Sequence, residues 1–143
     1  MLIKLRRLDD DYHLEATNDT GNTLETDGSQ DIGGHGRAMR PMQTVLAALG
    51  SCSAIDVIMF LRKMRQPLED IEIEVKADRE ADKTPSLFTR IYVHYRLTGD
   101  ISEKKAEKAI RMSMETYCSV AKMLEKAAPI EWSYVIVGAD KKS

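Results

Sequence analysis

Hydrophobic and polar residues alternate from the first positions of the chain. Across 1–8, Ile3 and Leu5 point one way and Leu2, Lys4 and Arg6 the other, and "YHLEAT" at 12–17 repeats the period of two after the turn-like "DDD". That period belongs to strands, whose successive side chains face opposite sides, and two strands so close in sequence predict a meander. The stretch 26–41, "TDGSQDIGGHGRAMRP", then collects Gly28, Gly33, Gly34 and Gly36 among polar residues. It reads as a loop ending at Pro41, a residue suited to the first turn of a helix.

From Pro41 to Leu61 the single charge is Asp56, and "RKMR" closes the run with bases that suit a helix C-terminus. The segment predicts a long apolar helix. Its length would reach across a bilayer, but Ala47, Ala48, Gly50, Ser51, Ser53 and Ala54 make it weakly hydrophobic, and Asp56 interrupts it. A helix apolar on all sides is otherwise one surrounded by protein, so a central helix rather than a membrane span is expected.

Alternation returns after Pro67. Ile71, Ile73 and Val75 alternate with Glu72, Glu74 and Lys76, and 87–99, "LFTRIYVHYRLTG", repeats the pattern beyond the loop "ADKTPS". These predict two antiparallel, half-exposed strands. Helical spacing follows over 100–130, with Ser102 placed as N-cap, Glu103 in the first turn, and Ala106, Ile110 and Met114 on one buried face. A break near Tyr117 would start a second short helix around Cys118, and "EWSYVIVGA" at 131–139 reads as the last strand. The plan is β-β-(β)-α-β-β-α-α-β, an α+β domain.

Composition narrows this picture. The chain has 143 residues, 43% hydrophobic and 31% charged, values of one folded domain spanning 1–143. A net charge of -2 with acids and bases interleaved offers no basic patch, so nucleic acid is not expected as a partner. The N-terminus lacks the apolar core of a signal peptide, and a cytoplasmic location is expected, with no membrane association. In a reducing compartment the two cysteines, Cys52 and Cys118, are either a redox pair or two buried thiols.

Other chemistries find little footing. His13, His35 and His94 are scattered and no C-x-x-C or H-x-x-x-H pairing occurs, so no metal is expected, and no other cofactor. "GSCSA" is not a nucleophile elbow, and "GGHGR" lacks the ending of a phosphate loop. A buried free cysteine usually acts as a small hydrophobe, whereas a reactive one needs a lowered pKa and access. Cys118 lies at an expected helix start. Cys52 lies too far along its own helix to feel the dipole, so an arginine would have to assist it. Asp56, one helical turn beyond Cys52, is expected to be structural, pairing with an arginine or a neighbouring backbone group.

Taken together, "RPMQTVLAALGSCSAIDVIMFLRKMRQ" and "TYCSVAKMLEKAAPI" resemble the OsmC/Ohr family of cysteine-dependent peroxidases, in its shorter OsmC-like branch. The resemblance implies an OsmC-like fold, with antiparallel sheets wrapped around a long central apolar helix in an intertwined homodimer. It also implies that Cys52 attacks an organic hydroperoxide as the thiolate, that the resulting sulfenic acid is resolved by Cys118 as a disulfide, and that an external dithiol reopens the pair. Active members carry a glutamate just after the helix-opening proline, where it holds an arginine against the thiolate. Here the stretch is Pro41-Met42-Gln43. Gln43 can hydrogen-bond an arginine but cannot anchor its charge, and Arg37, Arg40, Arg6 and Arg7 compete for the arginine's role. Two alternatives follow: a non-catalytic dimer binding a small apolar ligand, and a scaffold whose thiols are inert core.

Overall fold

The computed structural model describes residues 1–138, so Ala139, the last residue of the predicted final strand, lies outside the described residues. Two compact units divide the chain, Met1–Val45 and Leu46–Ser143, with the boundary inside the long helix α1, Pro41–Lys63.

In the first unit the expected meander forms. Strands β1 (Ile3–Arg7), β2 (Leu14–Asn18) and β3 (Thr23–Thr26) pair antiparallel in that order. The register sets Leu5 opposite Ala16 and Ala16 opposite Leu24, so Ile3, Leu5, Leu14, Ala16 and Leu24 share one face, as the period of two requires. That apolar face is open, with Leu5 62% and Leu24 52% exposed.

The predicted loop follows, and buried Asp27 organises it. Its carboxylate accepts the backbone N–H groups of Gly28 at 2.7 Å and Arg37 at 3.0 Å. The Arg37 N–H is foremost among the groups that hold this carboxyl below the usual carboxylate range. A single bridge between Thr26 and Met39 closes the loop.

Helix α1 begins as its sequence dictates. Pro41 occupies the first helical position, where its missing N–H costs nothing, and the Gln43 side chain reaches back to accept the Arg40 N–H at 3.0 Å. This is the returning half of a capping box. At the far end Arg65 turns left-handed (φ 54°) and the Gln66 N–H reaches the Leu61 carbonyl, which stops the helix.

In the second unit, α1 buries Leu49, Gly50, Ser53, Val57, Phe60 and Leu61, a stripe at three- and four-residue spacing. Gly50 matters for closeness: a Cβ there would meet Val75 at 3.2 Å. The stripe meets strands β4 (Leu68–Arg79), at Ile73 and Val75, and β5 (Phe88–Gly99), at Tyr95; β6 (Ile130–Val137) completes the sheet. Register aligns Val75 with Val93 and Ile73 with Tyr95, and sets Trp132 and Tyr134 beside them on β6, giving one apolar face. The opposite face carries Glu72, Glu74, Lys76, Arg96 and His94. Polar pairs stitch it, Glu72 with Arg96 at 3.3 Å and His94 with Ser133 at 2.8 Å.

Three expectations need amending. The sheets are not all antiparallel, because β6 joins β5 in parallel. The chain travels between them through α2 (Glu103–Met112), a π-helical turn (Ser113–Tyr117) and α3 (Ser119–Leu124), a crossover long enough for a parallel return. Ser102 stands at the N-cap of α2, but its hydroxyl makes no cap; its N–H instead takes the Gln66 side-chain oxygen at 2.9 Å. Nor does this chain enclose α1 on all sides, for Ala47, Ala48, Ser51, Ile55 and Met59 are exposed.

Candidate functional site

Helix α1 carries Cys52 at the edge of its buried stripe, next to buried Ser53, and leaves the thiol half-buried. Cys118 arrives from the other side of the unit. The π-helical turn ends with the Cys118 N–H bonded to the Ser113 carbonyl, five residues back, at 2.8 Å. Cys118 then adopts extended backbone and starts α3, its sulfur accepting the Ala121 N–H at 3.4 Å. The expected break near Tyr117 and helix start at Cys118 are both present. Tyr117 itself is held edge-on against Phe60 of α1, ring centres 5.1 Å apart.

Cys118 is fully buried, and its thiol is pushed up to about 11. Desolvation is the chief cause, the Ala121 N–H opposes it, and the neighbouring Cys52 thiol and Asp56 carboxylate add to it. Both cysteines are free, and the fold brings the two into one neighbourhood.

Beneath them lies a buried chain of hydroxyls. Ser53 Oγ is 2.6 Å from Tyr95 Oη and 2.9 Å from Ser113 Oγ, and Ser113 Oγ donates to Asp56 Oδ2 at 3.0 Å. Each hydroxyl has one proton, and the carboxylate only accepts. Three bonds therefore require one order of donation: Tyr95 to Ser53, Ser53 to Ser113, Ser113 to Asp56. Asp56 therefore has a serine hydroxyl as its partner rather than the expected arginine or backbone group. Burial raises the Tyr95 hydroxyl strongly, with the Ser53 bond opposing, so Tyr95 remains a donor.

The remaining candidates belong to the first unit. Arg37 is 57% exposed, with its guanidinium 3.7 Å from Asp9. Arg40 gives its N–H to Gln43, and Gln43 spends its side-chain oxygen on that helix cap. Arg6 pairs with Glu15 at 2.9 Å, and Arg7 reaches the Asp10 carbonyl. Asp9, Asp11 and His35 offer ligand-type atoms within 4.8 Å of one another, a cluster the sequence does not announce. Within it His35 pairs with Asp11 at 2.6 Å and Asp9 Oδ1 accepts the N–H groups of Asp11 and His13, while Asp9 Oδ2 is buried without a hydrogen-bond partner, 3.7 Å from the Arg37 guanidinium.

Sequence reasoning missed Ser53, Tyr95 and Ser113. A signal existed for Tyr95, which falls on the inward register of β5 between Val93 and Leu97, where a buried tyrosine needs a hydrogen-bond partner.

Comparison with known proteins gives a consistent result. A family model described as OsmC-like protein matches residues 34–133. The chain is similar to Protein YhfA of Escherichia coli strain K12, 45% identical over 104 residues, covering 72% of this chain and 77% of that one. A solved structure from structural genomics is 35% identical with a TM-score of 0.86, covering 97% of this chain and all of the other. In fold it is also similar to an organic hydroperoxide resistance protein, OsmC, of Legionella pneumophila. There the TM-score is 0.69 at 18% identity, covering 94% of this chain and 96% of that one.

Proposed function

Because the chain belongs to the OsmC family, we propose that it is a thiol-dependent peroxidase, reducing organic hydroperoxides in defence against oxidative stress. The observation that carries this reading is the contrast between the paired thiols. Cys118, fully buried and held at about 11, stays protonated near neutral pH and cannot open the reaction. The half-buried Cys52 is the one with access.

As thiolate, Cys52 attacks the terminal peroxide oxygen; the O–O bond breaks, the alcohol leaves with a proton, and Cys52 becomes a sulfenic acid. Cys118 then attacks the Cys52 sulfur. The S–O bond breaks, hydroxide departs as water with the Cys118 proton, and a disulfide remains for an external dithiol to reduce. No cofactor is needed, since both sulfurs are supplied by the chain.

The second copy implied by the family suits the exposed surfaces. The apolar face of β1–β3 and the α1 stripe through Ile55, 66% exposed, and Met59 are surfaces that a homodimer would cover. A location in the cytoplasm, free of membrane and nucleic acid, completes the reading.

Two observations favour the alternative of an apolar-ligand binder. The Met42-Gln43 stretch holds no glutamate, with Gln43 committed to a helix cap, and an open groove of about 480 Å³ lies along Ile55, Ile58 and Met59, closed at one end by Arg62 and Lys63. Consumption of cumene hydroperoxide with dithiothreitol as reductant separates the two. Turnover above the dithiothreitol blank supports the peroxidase, and turnover equal to the blank overturns it in favour of the binder.

A further inference from the structure

The hydroxyl chain and the π-helical turn meet at one residue. Ser113 is fully buried, and it is tied twice. Its side chain is fixed to α1 from both sides, accepting from Ser53 and donating to Asp56 at 2.9 and 3.0 Å. Its carbonyl holds the Cys118 N–H at 2.8 Å. Cys52 stands on the same helix, immediately before Ser53 and one turn before Asp56. A continuous path of short bonds therefore runs from the helix that carries one thiol to the backbone of the other: Asp56 and Ser53, then Ser113, then Cys118. The five-residue spacing is specific to a π-helical turn, an insertion common at functional sites. In a regular α-helix the Cys118 N–H would seek the Met114 carbonyl instead, and the Ser113 anchor would not reach it.

We propose that Ser113, clamped by Ser53 and Asp56, is a positioning residue for disulfide closure: it fixes the π-helical turn so that Cys118 is seated against Cys52, and it governs the resolving step rather than the attack on peroxide. The proposal rests on the thiol-pair reading above. Closure must bring the two sulfurs to an S–S bond of about 2.05 Å with a narrow range of dihedral angles. A sulfur held in place reacts faster than one on a loose turn, because the orientation is set beforehand. Tyr95 ends the chain as its first donor, and its removal leaves Ser113 bonded to both Ser53 and Asp56.

The test follows the two steps separately in the reduced protein, using one equivalent of cumene hydroperoxide in one arm and one of diamide in the other. Diamide is a two-electron dithiol oxidant: it adds to one thiol, and the second thiol then displaces the hydrazine to close the same disulfide. Quenched samples give Cys52 oxidation or adduct formation and disulfide formation by intact mass. For Ser113→Ala, first-step rates stay within about twofold of the parent while closure slows roughly tenfold in both arms, and a dimedone-trapped Cys52 sulfenic acid accumulates in the peroxide arm. Asp56→Asn, which keeps the shape and an acceptor oxygen, falls between parent and Ser113→Ala, and supplies the readout if the alanine variant does not fold. Tyr95→Phe closes within about threefold of the parent. Ile91→Val, a mildly destabilising core change, leaves the ratio of closure to first step unchanged, which separates positioning from loss of stability.

Closure at the parent rate in both arms for Ser113→Ala and Asp56→Asn overturns the proposal, as does equal slowing by Ile91→Val. A parent that closes with diamide but ignores the peroxide overturns the peroxidase reading; slowed diamide closure in Ser113→Ala then still supports positioning. A parent that closes with neither overturns both.

Discussion

The segment around Cys52 and the segment around Cys118 hold the same side chain in opposite settings. Cys52 sits mid-helix on α1, half-buried, with exposed Ser51 before it and exposed Ile55 one turn later. Cys118 sits at a helix start, fully buried, its sulfur bonded to the Ala121 N–H and its backbone bonded to Ser113. A helix start ordinarily lowers a thiol pKa. Here burial wins, and the neighbouring thiol and Asp56 reinforce it, so the thiol at the favourable end of a helix is pushed up rather than down. Position in secondary structure does not decide cysteine reactivity; the balance of desolvation against hydrogen bonding does.

Breaking the pair at its two ends gives the largest contrast. Cys52→Ser is expected to lose essentially all peroxide consumption, a drop of roughly 10³-fold or more in kcat/KM. Cys118→Ser is expected to reduce one equivalent at near the parent rate and then stall as a sulfenic acid. Single-turnover peroxide assays with dimedone trapping check both. Equal loss in the two variants would erase the division of labour.

Alkylation sharpens the same contrast without turnover. In the reduced protein at pH 8, iodoacetamide is expected to modify Cys52 at least about tenfold faster than Cys118, with the difference vanishing in denaturant. Peptide mapping reads the two sites directly.

Proton linkage gives a smaller effect. Cys118 ionises near 9.0 when unperturbed and at about 11 in the fold. Its neutral form therefore contributes stability that is fully present below pH 9. Between pH 9 and 11 the unfolded chain has released the proton while the folded chain keeps it, so that contribution declines, by about 2–3 kcal/mol across the window. Guanidinium unfolding at pH 8, 9 and 10 should show a steeper fall for the parent than for Cys118→Ala.

The smallest change comes from the first unit. Gln43→Glu keeps the acceptor for the Arg40 N–H and places a negative charge in the first turn of α1, worth about 0.3–1 kcal/mol in stability. If the missing carboxylate limits the reaction, peroxide turnover rises several-fold as well; a gain in melting temperature with unchanged turnover would show that position 43 serves only the helix cap.

Much of this was legible in the sequence because it follows a period. The alternation in β1, β2, β4 and β5, the long apolar run of α1, and the face Ala106, Ile110, Met114 on α2 and the turn beyond it all reflect repeats of two or of three to four residues. The cysteine pair was legible through its family motifs. What was not legible depends on the meeting of distant segments. The parallel joining of β6 is set by the crossover and not by any residue within the strand. The π-helical turn differs from an α-helix by one residue of hydrogen-bond spacing, which "SMETY" does not announce. The Tyr95-Ser53-Ser113-Asp56 chain spans three elements, and serines in an apolar helix look like small spacers until their partners are known. Gln43 reads as a missing charge, whereas its bond to Arg40 shows a capping side chain.

Intact mass and free-thiol count of the reduced protein, before and after one equivalent of cumene hydroperoxide, test the central claim most directly. The account predicts loss of two hydrogens and of both thiols, with no dimer-mass adduct, as Cys52 and Cys118 close within one chain. Survival of both thiols in the folded protein would contradict it and make Cys52 a packing residue.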